Sequence, residues 1–315
     1  MSKWAKPDGC IVICGAGDFG KRVFRFLNAL NYKGKVCFCD KNSELKTING
    51  IYVISYEEAA IIENASYIIS GIYAKEMMNE LLNYGVLAEN IYIYNPQFRK
   101  VGNDGGSFYV ADSFFEDKAP KVVYSFGIGE NLSFSEEILK LIQDIEIYAF
   151  DPTPKAIQYV KHHPLYKCER FHFFPWGISS KDEETLFYLP KNKNYVSGSL
   201  ILYDGVDEKD TVWVTMKRLD TIMKDLGHNR IDMLKMDIEG SEFDVVPSIM
   251  KTERIFDYLC IELHNRFFLE SENKKNLFLK QLEKYGFSDI YAERDEYLIA
   301  KSEEMLGCIM PVKRK

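Results

Sequence analysis

The residues best suited to chemistry lie in two short runs, Leu234-Lys235-Met236-Asp237-Ile238-Glu239-Gly240-Ser241-Glu242 and Cys260-Ile261-Glu262-Leu263-His264. Asp237 and His264 each stand just past the end of a predicted strand. Either could take a proton from a hydroxyl group, the imidazole because it titrates near neutral pH. Asp237 could equally contact a ligand or orient it. Glu239 could bind substrate, or cap the helix that begins near Gly240. Glu262 and His264 share one strand face by the period of two, so they could join Asp237 as oxygen and nitrogen ligands of a divalent metal. The reading taken is a hydrogen-bonded arrangement, with no metal assigned.

A second set of candidates reads as contacts to a bound small molecule. Val122-Val123-Tyr124-Ser125-Phe126-Gly127-Ile128-Gly129-Glu130-Asn131 is a strand running into a glycine turn. Such a turn lets backbone approach a ligand where a side chain would clash. The next strand ends in Phe150-Asp151-Pro152-Thr153-Pro154, placing an acid where it can accept ribose hydroxyls and a proline where it can start a helix. A third ends in Phe174-Pro175-Trp176-Gly177-Ile178, in position to border a purine. The contacts expected are Phe126, Gly127, Gly129, Asn131, Asp151, Pro152, Gly177, Ile178 and Asp237, all at carboxyl ends of strands, where open α/β sheets bind ligands.

A third candidate is at the front of the chain. Gly15-Ala16-Gly17-Asp18-Phe19-Gly20 matches G-x-G-x-x-G between a strand and a helix, and Asp40 ends the following strand. Gly15, Gly17 and Gly20 suit a pyrophosphate at a helix N-terminus and Asp40 suits a ribose. A nucleotide is therefore a candidate ligand here, although Asp18 would repel its phosphates unless it turns away.

The elements that must position these residues alternate in type. Strands are predicted at 10–14, 35–39, 51–54, 66–70 and 91–94, with helices at 19–30, 56–62 and 74–84. The turn-rich stretch Val101-Gly102-Asn103-Asp104-Gly105-Gly106 marks a connection. A second series then has strands at 122–125, 146–150, 171–174, 233–236 and 258–262, a helix at 273–285, and adjacent strands at 289–293 and 297–301. The expectation is an α/β chain of two Rossmann-like domains, residues 1–99 and 100–315, the second closed by an antiparallel hairpin. The stretch Leu189 to Asp210 reads as a polar insertion, carrying Asn192, Asn194, Tyr195, Ser197, Gly198 and Ser199, that could serve as a lid.

The segment Leu234 to Glu242 resembles the hallmark of the FkbM family of methyltransferases. Tyr124-Ser125-Phe126-Gly127-Ile128-Gly129, Phe150-Asp151-Pro152-Thr153-Pro154 and Val196-Ser197-Gly198-Ser199-Leu200 are similar to its other signatures, so the likeness covers about residues 105–300. The resemblance implies a class I methyltransferase fold, S-adenosylmethionine as donor, and O-methylation of a sugar or comparable hydroxyl. The acceptor expected is a small-molecule or sugar-linked hydroxyl. The sequence departs from the broader pattern at Ser125, where an acid is common, and at Asn131, where a third glycine is common. Two rivals are an NAD-dependent oxidoreductase using the front loop and a non-catalytic binding protein.

Composition narrows the classes. With 315 residues, 46% hydrophobic and 28% charged, the chain can build two cores. A net charge of −7 argues against nucleic acid as a partner, and the basic end Lys313-Arg314-Lys315 is too short to change that. No window approaches the roughly 20 apolar residues of a membrane helix. Seven cysteines without scaffold spacing read as reduced thiols, and the expected setting is cytoplasmic. Cys10, Cys14, Cys37 and Cys39 sit in apolar strands rather than in turns with zinc-ligand spacing.

Overall fold

The computed structural model describes residues 3–6, 8–42, 46–251 and 255–312; the basic run 313–315 lies outside them. It divides into two compact units, one of Met1–Gln97, Glu283–Ile290 and Lys301–Lys315, the other of Phe98–Leu282 and Tyr291–Ala300. No helix among the described residues is long and apolar enough to cross a membrane.

The first unit contains β1 (Cys10–Cys14), α1 (Asp18–Ala29), β2 (Lys35–Cys39), β3 (Thr47–Ile48), β4 (Ile51–Ile54), α2 (Tyr56–Ala60), β5 (Ala65–Ser70), α3 (Ala74–Asn83) and β6 (Ile91–Tyr94). β1 pairs in parallel with β2 and β5, and β5 with β6. The strand order therefore reverses at β1, whose carboxyl end carries the glycine loop. The fully buried Ile11, Val12, Ile13, Ile68 and Ile69 form the continuous apolar runs that a sheet covered on both faces requires.

The second unit continues with β7 (Phe98–Val101), β8 (Phe108–Ala111), α4 (Asp112–Glu116), β9 (Lys121–Phe126), α5 (Ser133–Leu141), β10 (Ile145–Phe150), α6 (Pro154–His162), β11 (Phe171–Phe174), β12 (Trp176–Ile178), β13 (Glu183–Pro190), β14 (Val206–Lys217), α7 (Leu219–Leu226), β15 (Met233–Met236), α8 (Glu242–Ile249), β16 (Tyr258–Glu262) and α9 (Ser271–Glu283); β17 (Phe287–Glu293) and β18 (Glu296–Lys301) follow, β17 through Ile290 and the last residue of β18 falling in the first unit. The large sheet runs β11-β10-β9-β15-β16-β18-β17, and its order reverses at β9. β18 is antiparallel to β16, the departure from an all-parallel sheet expected at this end of the chain. Parallel register places Phe126, Phe150 and Phe174 side by side. Their rings stack, with centroids 4.4 and 5.6 Å apart, at the end of the sheet where the candidate residues lie.

Two features depart from the reading of the sequence. The stretch 189–210 is not one insertion: β13 ends at Pro190 and β14 begins at Val206, so the connecting loop is 191–205. These strands pair antiparallel and, with β12, make a separate three-stranded sheet. The contiguous division at residue 100 also differs from the packing. Strand β19 (Ile309–Pro311) pairs antiparallel with β6, covering an edge of the first sheet. Asp289 belongs to the first unit as well, where Arg25 grips both its oxygens at 2.6 and 2.7 Å.

Candidate active site

The carboxyl ends of β9, β10 and β15 open into a cleft. Phe126, Gly127, Gly129, Asn131, Asp151, Pro152, Gly177, Ile178 and Asp237 all line it, and so does Glu239. Every residue read from the sequence as a small-molecule contact thus meets in one place. His264 does not line the cleft; its side chain is buried beyond Asp237 and Glu239.

Gly127 is demanded by the geometry. Its φ is +71°, and a Cβ there would stand 1.6 Å from the carbonyl oxygen of Asp237. The turn is held from below by Lys235, which is buried and donates to the carbonyl oxygens of Gly127 at 2.6 Å and Phe126 at 3.3 Å. Burial pulls the Lys235 ammonium below its ordinary pKa, against the raising pull of Asp237, Glu262 and Asp151.

Asp151 ties the first two strand ends together. One carboxylate oxygen accepts the Gly129 N–H at 2.9 Å; the other accepts the Thr153 N–H at 2.9 Å and its hydroxyl at 2.6 Å. Burial pushes its pKa up, and these hydrogen bonds oppose that shift. Pro154 opens α6 immediately after this bend, as a proline at the first helical position should.

The acidic residues beyond β15 and β16 surround one imidazole. His264 Nε2 lies 3.7 Å from Asp237 Oδ1, 3.4 Å from Glu239 Oε2 and 3.6 Å from Glu262 Oε1. The hydrogen-bonded arrangement expected of His264 with Asp237 and Glu262 is therefore not the one observed. Its hydrogen bond runs instead from Nδ1 to Glu242 Oε1, at 2.9 Å. Burial alone would depress the His264 pKa, but the Glu242 hydrogen bond and the charges of Glu242, Glu239 and Asp237 raise it to about 9. Glu239 moves up through burial, with neighbouring charge and a Ser197 hydrogen bond as smaller influences. Glu262 is raised by burial and by Asp237.

The capping role considered for Glu239 is not the one observed: α8 has no side-chain cap, and Glu242 holds the turn before it. Glu242 accepts the Ile238 N–H at 3.1 Å and the Gly240 N–H at 3.0 Å, leaving the Glu239 carboxylate directed at His264. Glu239 itself has φ +51°, uncommon for a residue with a side chain. Sequence reading gave Glu242 and Lys235 no role. An acid at a helix start and a lysine in a strand are commonplace, and only their complete burial sets these two apart.

The loop 191–205 closes one wall. Val196, Ser197, Gly198 and Leu200 line the cleft, while Ser199 is pinned by its hydroxyl to the Glu239 carbonyl at 2.7 Å. Trp176 stays outside the cleft lining, stacked on Phe174 at 4.8 Å with the Lys217 ammonium over its other side at 3.6 Å.

In the first unit, Asp40 accepts the Ala16 N–H at 2.7 Å and the Asn42 N–H at 2.9 Å, so both its oxygens serve the backbone around the loop. Gly20 packs so close that a Cβ would meet the Gly15 carbonyl at 1.9 Å. Gly17 is the helix N-cap, and the Asp18 side chain turns to solvent, 85% exposed. The neighbouring cavity is lined by Asp40, Glu57, Glu58 and Glu80 against the lone cation Lys41.

The cleft suits S-adenosylmethionine on two grounds: a glycine turn whose left-handed backbone at Gly127 and Gly129 puts no side chain in the lining, and the stacked Phe126 and Phe150 rings along it. No curated protein matches the chain. Among solved structures, the Methanococcus jannaschii fibrillarin pre-rRNA processing protein is 11% identical, with 65% of this chain and 81% of that chain covered and a TM-score of 0.36. M. jannaschii TYW2 in complex with AdoMet is 12% identical, with 65% and 83% covered and a TM-score of 0.28. Neither likeness, at such scores, bears on the reaction. A family model described as the methyltransferase FkbM domain matches residues 121–288, more than half of the chain. By that match the chain belongs to the FkbM methyltransferases, enzymes that take their methyl group from S-adenosylmethionine.

Proposed function

We propose that this enzyme methylates a hydroxyl oxygen of a carbohydrate or nucleotide-linked sugar, with Glu239 taking the hydroxyl proton. The observation that carries the reading is the Glu239 carboxylate, which lines the donor cleft and whose pKa is raised by its own burial. A base is most effective when its pKa approaches the working pH. His264, its pKa raised to about 9 by the acids around it, lies behind Glu239 with Nε2 3.4 Å from its carboxylate.

Bound S-adenosylmethionine supplies an electrophilic methyl group on a sulfonium. Gly127, Gly129 and Asp151 would hold it, with Phe126, Asn131, Pro152, Gly177 and Ile178 along its sides. Much of the rate comes from aligning the acceptor oxygen in the near-attack position, for which the fixed strand ends of β9 and β15 provide rigid support. As the oxygen–carbon bond forms and the carbon–sulfur bond breaks, the hydroxyl proton passes to Glu239.

A sugar acceptor is favoured by the wall of the cleft. Ser197 lines it, and close by Tyr203 stacks on Phe267 at 3.8 Å beside Gly240. Nucleic acid stays outside the reading because the chain carries a net charge of −7. A cytoplasmic setting is part of it, in keeping with seven free cysteines. A nucleotide in the first unit draws no support from the acid-lined cavity at Asp40, which would repel phosphates.

Transfer of labelled methyl from S-adenosylmethionine to a panel of saccharides and nucleotide sugars tests this function. The expected product is a methyl ether on a sugar oxygen. Transfer confined to an amine, a thiol or a nucleic acid would refute the acceptor class.

A further inference from the structure

His264 is almost wholly enclosed, its side chain 1% exposed, yet among the described residues only one of its two ring nitrogens makes a hydrogen bond. Nε2 faces three carboxylate oxygens at 3.4, 3.6 and 3.7 Å. These separations exceed a good N–H···O bond of about 2.7–3.2 Å. At Asp237 and Glu262 they leave room for a shared ion: metal–ligand bonds of about 2.1–2.3 Å at about 90–110° put neighbouring ligand atoms roughly 3.0–3.8 Å apart.

We propose that Asp237, Glu262 and His264 form a binding site for a divalent cation of the magnesium and manganese class. One ligand atom from each lies within 4.8 Å of the other two. Two carboxylates and one imidazole make a predominantly hard donor set, suited to manganese and tolerant of magnesium. Glu242 supplies the supporting contact. It is fully buried and fixes Nδ1 at 2.9 Å, which leaves Nε2 aimed at the cluster, as a carboxylate does for metal-bound histidines in general. Coordination uses the neutral imidazole, so the cation takes the place of the Nε2 proton.

Charge and access agree with the assignment. Asp237, Glu239, Glu242 and Glu262 face one imidazole, with the Arg266 guanidinium 3.5 Å from Glu262 Oε1 and the Lys235 ammonium near Asp237 and Glu262, so four acids meet three cationic groups. The side chains of Asp237 and Glu262 are 30% and 28% exposed, so a cation there keeps positions open for an outside oxygen. In its purpose the inference rests on the hydroxyl-acceptor reading: a cation touching the acceptor oxygen would lower its pKa beside Glu239. In its binding it is independent of that reading.

The test uses the full chain freed of metal by a chelator and titrated with manganese chloride, bound ion being read by electron paramagnetic resonance and by calorimetry. Wild type is expected to bind a single ion per chain, with Glu262→Gln and His264→Gln each weakened by about tenfold or more. S-adenosylhomocysteine is titrated separately into all three proteins, and unchanged affinity shows that the variants are folded. Glu262→Gln keeps the side-chain shape, so its result decides the matter even where His264→Gln unfolds. No manganese binding by wild type, or equal binding by Glu262→Gln, overturns the site. Manganese binding that depends on Glu262 in a protein deaf to S-adenosylhomocysteine upholds the cation site and removes the donor reading.

Discussion

His264 Nδ1 donates to Glu242 Oε1 across 2.9 Å, joining the segment after β16 to the first residue of α8 where neither side chain reaches solvent. The same carboxylate caps the turn at Ile238 and Gly240, so one acid organises both the backbone and the imidazole. Glu242→Ala leaves two amides and a buried imidazole without their acceptor. Destabilisation of about 3–5 kcal/mol is expected from breaking a buried pair of this kind. Urea unfolding measures it; a loss below about 1 kcal/mol would contradict the role.

The raised His264 pKa carries a sign that can be checked in chelated protein. Its folded value of about 9 exceeds the ordinary 6.5, so the stability it confers is complete below about pH 6.5 and is lost as pH rises through 9. The midpoint of thermal unfolding should therefore fall by several degrees between pH 6 and 9.5. His264→Gln should flatten that part of the profile. An unchanged slope in the variant assigns the pH dependence elsewhere.

Gly127→Ala places a methyl group against the Asp237 carbonyl at 1.6 Å, in a left-handed backbone conformation. The loop must move, and the donor cleft moves with it. S-adenosylhomocysteine affinity should drop by about a hundredfold or more, a cost of about 2.7 kcal/mol. Affinity within threefold of wild type would show that the turn is not the cradle.

Much of this could be read in the sequence because parallel sheets write themselves plainly. The mainly apolar runs at 121–126, 145–150 and 233–236 sit on largely buried strands, and the special residues follow at their carboxyl ends. The hairpin of β13 and β14 was illegible for a physical reason. Consecutive residues are exposed at Glu183 and Glu184 and at Glu208 and Lys209, and Trp213 is 66% exposed, so the alternation that marks a half-buried strand is blurred. β19 could not be seen either, since three residues give no period and their partner Tyr94 lies two hundred positions earlier. The hydrogen bond between Glu242 and His264 depends on tertiary placement of two turns, which spacing along the chain does not encode.

Glu239→Gln removes the proposed proton acceptor while keeping its size. Turnover should fall by about 10²–10⁴ with S-adenosylhomocysteine affinity nearly unchanged. Asp237→Asn and Glu262→Gln serve as comparisons under saturating manganese. Full activity in Glu239→Gln would move the proton to another group.

The central claim is that the cleft at β9, β10 and β15 holds the methyl donor. Calorimetric titration with S-adenosylhomocysteine tests it most directly, with NAD as the competing ligand and Asp151→Asn and Asp40→Asn as the variants. Binding of S-adenosylhomocysteine that weakens by about tenfold or more in Asp151→Asn and is untouched in Asp40→Asn is the result expected. NAD binding lost in Asp40→Asn, with no response to S-adenosylhomocysteine, would contradict the account.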